Sequence, residues 1–290
     1  MGHTLRSFSS GHYLLELDGV SSGWVRSLQG GGAVGEVVQE KVGADHIVRK
    51  HIGTVRYDDI VLTCGAGMSK AFYSWVDETC AMQVARHGGA VIVYDNSNKE
   101  LSRLDWYDGM ITHIEFPTLD AASTDVFSMT IKITPEHTRR NTGGGSQAAV
   151  APKAQKHWLT NNFRLIIAGL EDACKHVSKI EPLTLTVKTA KETVGSARDY
   201  NVEPASVNPG NLMVTLAESH AKGFFDWFED SVVKGNSGNE KSAILESGPI
   251  ALKIDNLGIV AISPRSNGSG AMIRKIKVEM YCEAIRFSAS

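Results

Sequence analysis

Two stretches of the chain alternate strictly. Phe127, Met129, Ile131 and Ile133 are separated by Ser128, Thr130 and Lys132, and Ile276, Val278 and Met280 sit among Lys275, Lys277 and Glu279. That period of two predicts strands with one face in a core and one in water. Elsewhere the period lengthens. Met68, Ala71, Phe72, Trp75, Val76 and Met82 fall on one side of a helix over 68–82. Phe224, Trp227, Phe228 and Val232 repeat that face later in the chain. Phe72, Trp75, Phe224, Trp227 and Phe228 are therefore the expected packing residues of two helices set among strands.

The repetition extends further. Tyr13-Leu-Leu-Glu-Leu-Asp-Gly-Val matches Phe163-Arg-Leu-Ile-Ile-Ala-Gly-Leu at an offset of 150, each a strand running into a glycine turn. Ile60-Val-Leu-Thr matches Leu212-Met-Val-Thr, and Phe72-Tyr-Ser-Trp-Val-Asp matches Phe224-Phe-Asp-Trp-Phe-Glu, both at 152. Val91-Ile-Val-Tyr-Asp-Asn aligns with Ala251-Leu-Lys-Ile-Asp-Asn at 160, an offset lengthened by Gly235–Lys241, and Met129-Thr-Ile-Lys-Ile with Ile276-Lys-Val-Glu-Met at 147. Five colinear matches identify an internal duplication. On the fourth match only 21 residues separate Asp255 from Ile276, against 34 from Asp95 to Met129. The second repeat is thus expected to have lost a strand and any counterpart of Trp106.

The fold class that follows is mainly β, two tandem barrel or sandwich domains with one helix each. The expected division is 1–136, a connector over 137–160, and a shortened repeat over 161–290. Composition marks the connector: Asn141-Thr-Gly-Gly-Gly-Ser and Ala148–Ala154 lack periodicity and large apolar residues, as a flexible linker does. Charge marks it too. Residues 1–136 hold 11 Lys/Arg against 17 Asp/Glu, and 161–290 hold 15 of each. The connector has Arg139, Arg140, Lys153 and Lys156 and no acid, so it is expected to lie across an acidic surface. The formal net charge of −2 excludes a strongly basic nucleic-acid binder. Cys64, Cys80, Cys174 and Cys282 are too scattered for a disulfide framework. Met1–Ser10 lacks the apolar segment of a cleavable signal, and no apolar run is long enough to span a bilayer. A reducing, aqueous compartment is expected.

Candidate chemistry is sparse. Gly30, Gly32 and Gly35 have the G-x-G-x-x-G spacing, but Glu36-Val-Val-Gln-Glu-Lys-Val offers no helix to face a pyrophosphate. His46, His51 and Asp45 lack the further ligands a zinc site needs. Cys64 and Cys80 have no adjacent base to make a nucleophile. Asp58-Asp59 and Asp77-Glu78 are sequence neighbours, whose side chains diverge. The helix aromatics suit core packing rather than base stacking. No catalytic, cofactor or metal site is expected. One stretch stands apart, the loop Gln39–Tyr57, with Glu40, Lys41, Asp45, Arg49, Lys50 and Arg56.

Taken in order, Leu15-Glu-Leu-Asp-Gly-Val, Lys50–Leu62, Phe72-Tyr-Ser-Trp-Val, Val93-Tyr-Asp and Leu104-Asp-Trp resemble the tail-tube proteins of contractile phages and phage-like contractile injection systems. The resemblance covers 12–137 and, more weakly, 161–287. It implies β-barrels whose inner sheets join in sixfold rings stacked into a tube, with the 39–57 loop reaching a neighbouring ring. It further implies a surrounding sheath, baseplate or hub partners, and DNA or protein cargo crossing the lumen without sequence-specific binding. The place implied is a virion tail assembled in the host cytoplasm, or a contractile injection particle, with no membrane. A tube initiator or hub adaptor at the baseplate is the alternative, and a small-molecule-binding barrel or enzyme a second. A shortened second repeat favours six chains per repeating unit over three sharing one pseudo-sixfold ring.

Overall fold

The computed structural model describes residues 11–41, 47–145, 158–193, 200–265 and 274–289. Its first unit runs through β1 (His12–Leu17), β2 (Val20–Gly30), β3 (Ala33–Lys41), β4 (Val48–Tyr57), β5 (Ile60–Cys64), α1 (Lys70–Cys80), β6 (Arg86–Tyr94), β7 (Glu100–Phe116), β8 (Leu119–Asp120), β9 (Met129–Thr134) and β10 (His137–Thr142). Strand β1 pairs with β2 and β6, β2 with β5, β5 with β9, and β7 with both β9 and β6. Those pairings close a six-stranded barrel but leave the end of β7, His113–Phe116, beyond its pairing with β6. The β1–β2 turn needs positive φ, which Asp18 (47°) and Gly19 (79°) supply. Helix α1 starts where the Ser69 hydroxyl accepts from the Phe72 N–H at 3.2 Å. It buries Phe72, Trp75 and Val76 against the strands.

The second unit repeats the order with β11 (Phe163–Ile167), α2 (Glu171–Cys174), β12 (Val177–Ile180), β13 (Leu183–Thr193), β14 (Tyr200–Pro209), β15 (Leu212–Ala217), α3 (Lys222–Phe228), β16 (Lys241–Ser247), β17 (Ile250–Arg265), β18 (Lys275–Tyr281) and β19 (Ala284–Ala289). The duplication reaches irregular details. Hairpin β3–β4 shifts register between Gly35 and Val37, and β13–β14 shifts at the matching place, between Lys188 and Thr189. Asp108 and Asn256 both hold positive φ inside the long strands β7 and β17. The Trp75 indole donates to the Ala85 carbonyl at 3.0 Å, and Trp227 to that of Asn239 at 3.0 Å.

Three expectations change. The second repeat keeps the strands that the 160 match left out: β16 is the counterpart of β6, and β17 that of β7. Among the described residues only the two-residue β8 has no counterpart. The sequence match at 160 slipped by one strand because the dipeptide Asp-Asn recurs in two different settings. Asp95-Asn96 sits in the β6–β7 turn, whereas Asp255-Asn256 sits in the bend of β17. Trp106 does have a counterpart, the fully buried Ile254. Second, residues 137–142 of the expected connector form β10, paired with β7, and Trp158–Thr160 pack back on the first unit. Third, 48–57 and 33–41 form a regular hairpin rather than a loop. The units do differ in closure. In place of the tight β1–β2 turn, α2 separates β11 from β12, which do not pair, so the second barrel is open there.

Candidate assembly interface

The units meet edge to edge. Leu183–Thr186 of β13 pair antiparallel with His113–Phe116 of β7, with Leu183 opposite Phe116 and Thr186 opposite His113. The first unit's sheet therefore continues into the second unit's hairpin. A smaller join sets Lys179 and Ile180 of β12 against Asp120 and Leu119 of β8. Side chains seal the seam. Phe287 of β19 stacks on Phe116 (centroids 6.1 Å apart) and on Tyr73 of α1 (5.6 Å). Its N–H donates to the Asp77 carboxylate at 3.1 Å. Aromatic pairs of this kind add roughly 0.5–1.5 kcal/mol beyond area burial. One apolar core consequently runs through both units.

Beyond the aromatic seam lies a polar clasp. The Arg86 guanidinium pairs with Glu136, donates to the Val202 carbonyl, and pairs with Glu203 of β14 at 3.0 Å. Glu136 also accepts from the Val202 N–H at 3.3 Å, and His113 and Thr186 are hydrogen-bonded at 3.2 Å. Thus hairpin β13–β14 is held by its backbone at the base and by one arginine farther along. None of Phe116, Phe287, Arg86 or Glu203 was singled out from the sequence. The signal was present in one place: the alternating ends of the two repeats align Arg140 with Phe287, an exchange that marks the two ends as facing different surroundings.

The sequence candidates fall in several places. Phe72, Trp75, Phe224 and Trp227 are buried, and Phe228 is half-buried against the core. Glu40, Lys41, Arg49 and Lys50 lie exposed on hairpin β3–β4, while Arg56 pairs with Asp58 at 2.9 Å. Asp45 and His46 lie outside the described residues, as do Lys153 and Lys156. Arg139 and Arg140 are exposed on β10. Gly30 and Gly31 carry positive φ between two strands, with no helix following. Asp59 pairs with Lys132 at 3.1 Å and Glu78 accepts from Ser74 at 3.1 Å, so these acids serve local contacts. Burial pushes the Cys64 and Cys80 thiols up to about 12, and those of Cys174 and Cys282 up to about 11.

The molecule is thus an edge-joined pair of β units, each carrying a helix. Residues 9–139 match the family described as T4-like virus tail tube protein gp19. No curated relative matches the chain. Among solved structures, it is similar to a chain of the sheath–tube complex of the extracellular contractile injection system PVC, in its extended state. The two are 15% identical with a TM-score of 0.42, over 48% of this chain and 94% of that one. The tube-terminating cap of the anti-feeding prophage gives 15% and 0.44, over 49% and 96%. Hcp1 from Flavobacterium johnsoniae gives 16% and 0.28, over 48% and 98%. The first unit belongs to the tail-tube family, and the second is its duplicate. The family match thus covers the first unit, and the second repeats its strand order.

Proposed function

We propose that the chain builds the wall of a contractile-type tail tube, its two units taking neighbouring places in one ring. The observation that carries this is the lateral continuation of the β7 edge by β13. Main-chain pairing between edges is a sufficient glue for a wall and needs no special side chains. Heterologous contacts of this kind propagate around an axis until they close. If the ring has the six places that the family resemblance implies, three chains fill it. The case for six chains rested on a strand missing from the wall, and β16 and β17 supply the counterparts of β6 and β7. The unit boundaries we propose are the two repeats, 1–136 and 161–290, with β10 returning to the first.

The lumen then conducts DNA or protein cargo, and the outside meets a sheath, a baseplate and a hub. The particle is a virion tail or a contractile injection device. A tube initiator at the baseplate is the second reading, favoured by the opening that α2 makes in the second barrel. Negative-stain imaging of purified protein tests the proposal. Rings or tubes with a central lumen are the expected result, and discrete monomers at high concentration contradict it.

A further inference from the structure

The intrachain seam has two halves, and each half recurs, unused, on the other unit. The first unit offers its β7 edge and α1; the second offers β13–β14 and β19. By the internal correspondence, the second unit has an equivalent of the β7 edge at Ala261–Pro264 of β17, placed by the matching register shifts opposite Glu279 and Lys132. Among the described residues nothing pairs with its outer side. The first unit has an equivalent of β13 in Gly31–Val34. Ala33 and Val34 pair with β4, Gly31 and Gly32 bond Asp59 and Asp58, and the Gly31 carbonyl accepts from Thr138. Among the described residues no strand pairs with the outer side of 32–34. That hairpin carries exposed Val37 and Val38. Apolar residues on an unpaired edge are a liability unless a partner covers them.

The side chains at the two free halves have changed together. Tyr73 and Asp77 of α1 correspond to Phe225 and Glu229 of α3, and Phe287 corresponds to Arg140. Phe225 is 39% exposed, and Glu229 and Arg140 are exposed. Where Tyr73 stacks on Phe287, Phe225 would face a guanidinium, a cation–π pair. Where Asp77 accepts from a backbone N–H, Glu229 would meet the same arginine. The polar clasp is likewise inverted. Arg86 corresponds to Glu240, because His87 and Lys241 sit equivalently against Trp75 and Trp227. Glu136 corresponds to Glu283; their N–H groups bond the matching carbonyls of Tyr107 and Asp255. Glu240 accepts from Tyr281 and Glu283 from Asn256, and no cation pairs with either among the described residues. At the place of Val202 on the free hairpin stands exposed Lys50.

Resting on the ring reading, we infer that the outward face of the second unit, with Phe225, Glu229, Glu240 and Glu283, docks on hairpin β3–β4 and β10 of a second copy through Lys50 and Arg140. The edge 261–263 pairs with 32–34, setting Ser263 opposite Gly32. The sign inversion also selects the partner. Another copy's second hairpin, bearing Glu203, would bring an acid against Glu240, so the second unit's face rejects its own kind.

The test mixes two full-length variants, Gly32→Cys and Ser263→Cys, under mild oxidation. A Cβ at Gly32 meets nothing closer than Asp58 Oδ2 at 3.9 Å, and Ser263 is exposed, so both variants fold. A disulfide-linked dimer that forms in the mixture and not in either variant alone is the expected result. No dimer while negative stain still shows rings overturns this docking and leaves the tube reading intact. No dimer and no rings overturns both. In parallel, Arg140→Glu and Glu229→Arg should each lower the ring fraction about 10-fold or more, a loss on the scale set for charge-paired contacts. The double variant should recover most of it; failure to recover shows that the two residues do not meet.

Discussion

Apart from the short β8, the two units share their strands in the same order, yet the chain treats their equivalent surfaces oppositely. Inside the chain, the seam is aromatic, with Phe287 clamped between Phe116 and Tyr73, and a single Arg86 gathers Glu136 and Glu203. At the ends, the equivalent positions are Arg140, Phe225 and Glu240, all exposed. A permanent junction within one polypeptide can bury aromatics in a continuous core. A junction between separate chains must stay soluble before it forms, and charge at the rim serves that and steers encounter. The difference shows how a duplicated fold can carry one covalent and one associative version of the same contact.

Removing the aromatic clamp should have the largest effect. Phe287→Ala should cost about 3–5 kcal/mol of unfolding free energy, as for other buried Phe truncations, measured by chemical denaturation. The equivalent Arg140→Ala should leave stability within about 0.5 kcal/mol, as expected of an exposed site, while weakening assembly. Equal losses at the two positions would break the comparison. Next comes Arg86→Ala. Arg86 is only about a quarter exposed, and its loss leaves Glu136 and Glu203 facing each other, so roughly 1–3 kcal/mol should go, chiefly from an unmet charged group. Proteolysis within hairpin β13–β14 should speed up accordingly; an unchanged cleavage rate would show the clasp to be incidental.

Smaller effects sharpen the picture. Thiols raised to about 12 and about 11 by burial stay protonated at neutral pH. Native protein should therefore resist alkylation at all four cysteines, with labelling appearing only on unfolding. Fast labelling of Cys174 or Cys282 would mean that the second unit opens locally. The smallest effect concerns the basic segment. Replacing Arg139, Arg140, Lys153 and Lys156 with Ser should weaken assembly more at low salt than at high salt, since screening removes the same attraction. Equal assembly at both salts would restrict the segment to a tether.

Much of the fold was legible from residue patterns. Alternation at Phe127–Ile133 and 275–280 gave strands β9 and β18, and the Trp-centred helices are α1 and α3. The duplication was legible because it preserves turns and helix faces, which depend on local sequence. Pairing between distant segments leaves no such trace. Asp95 caps a turn, its carboxylate accepting from the Ser97 and Lys99 N–H groups, whereas Asn256 holds positive φ in the bend of β17. The two settings share a dipeptide for different reasons, so the fourth match settled on the wrong strand. Hairpin β3–β4 was read as a loop because its strands face water on both sides and do not alternate. The seam was missed for a related reason: Phe116, Arg86 and Phe287 are unremarkable until β13 brings the second unit against β7.

The central claim is that two tube domains of one chain stand side by side in one ring. Native mass spectrometry of purified assemblies tests it most directly. Rings of three chains, with end-on images showing six lobes in alternating strength, are the predicted result. Rings of six chains, each contributing one unit to each of two layers, would contradict it.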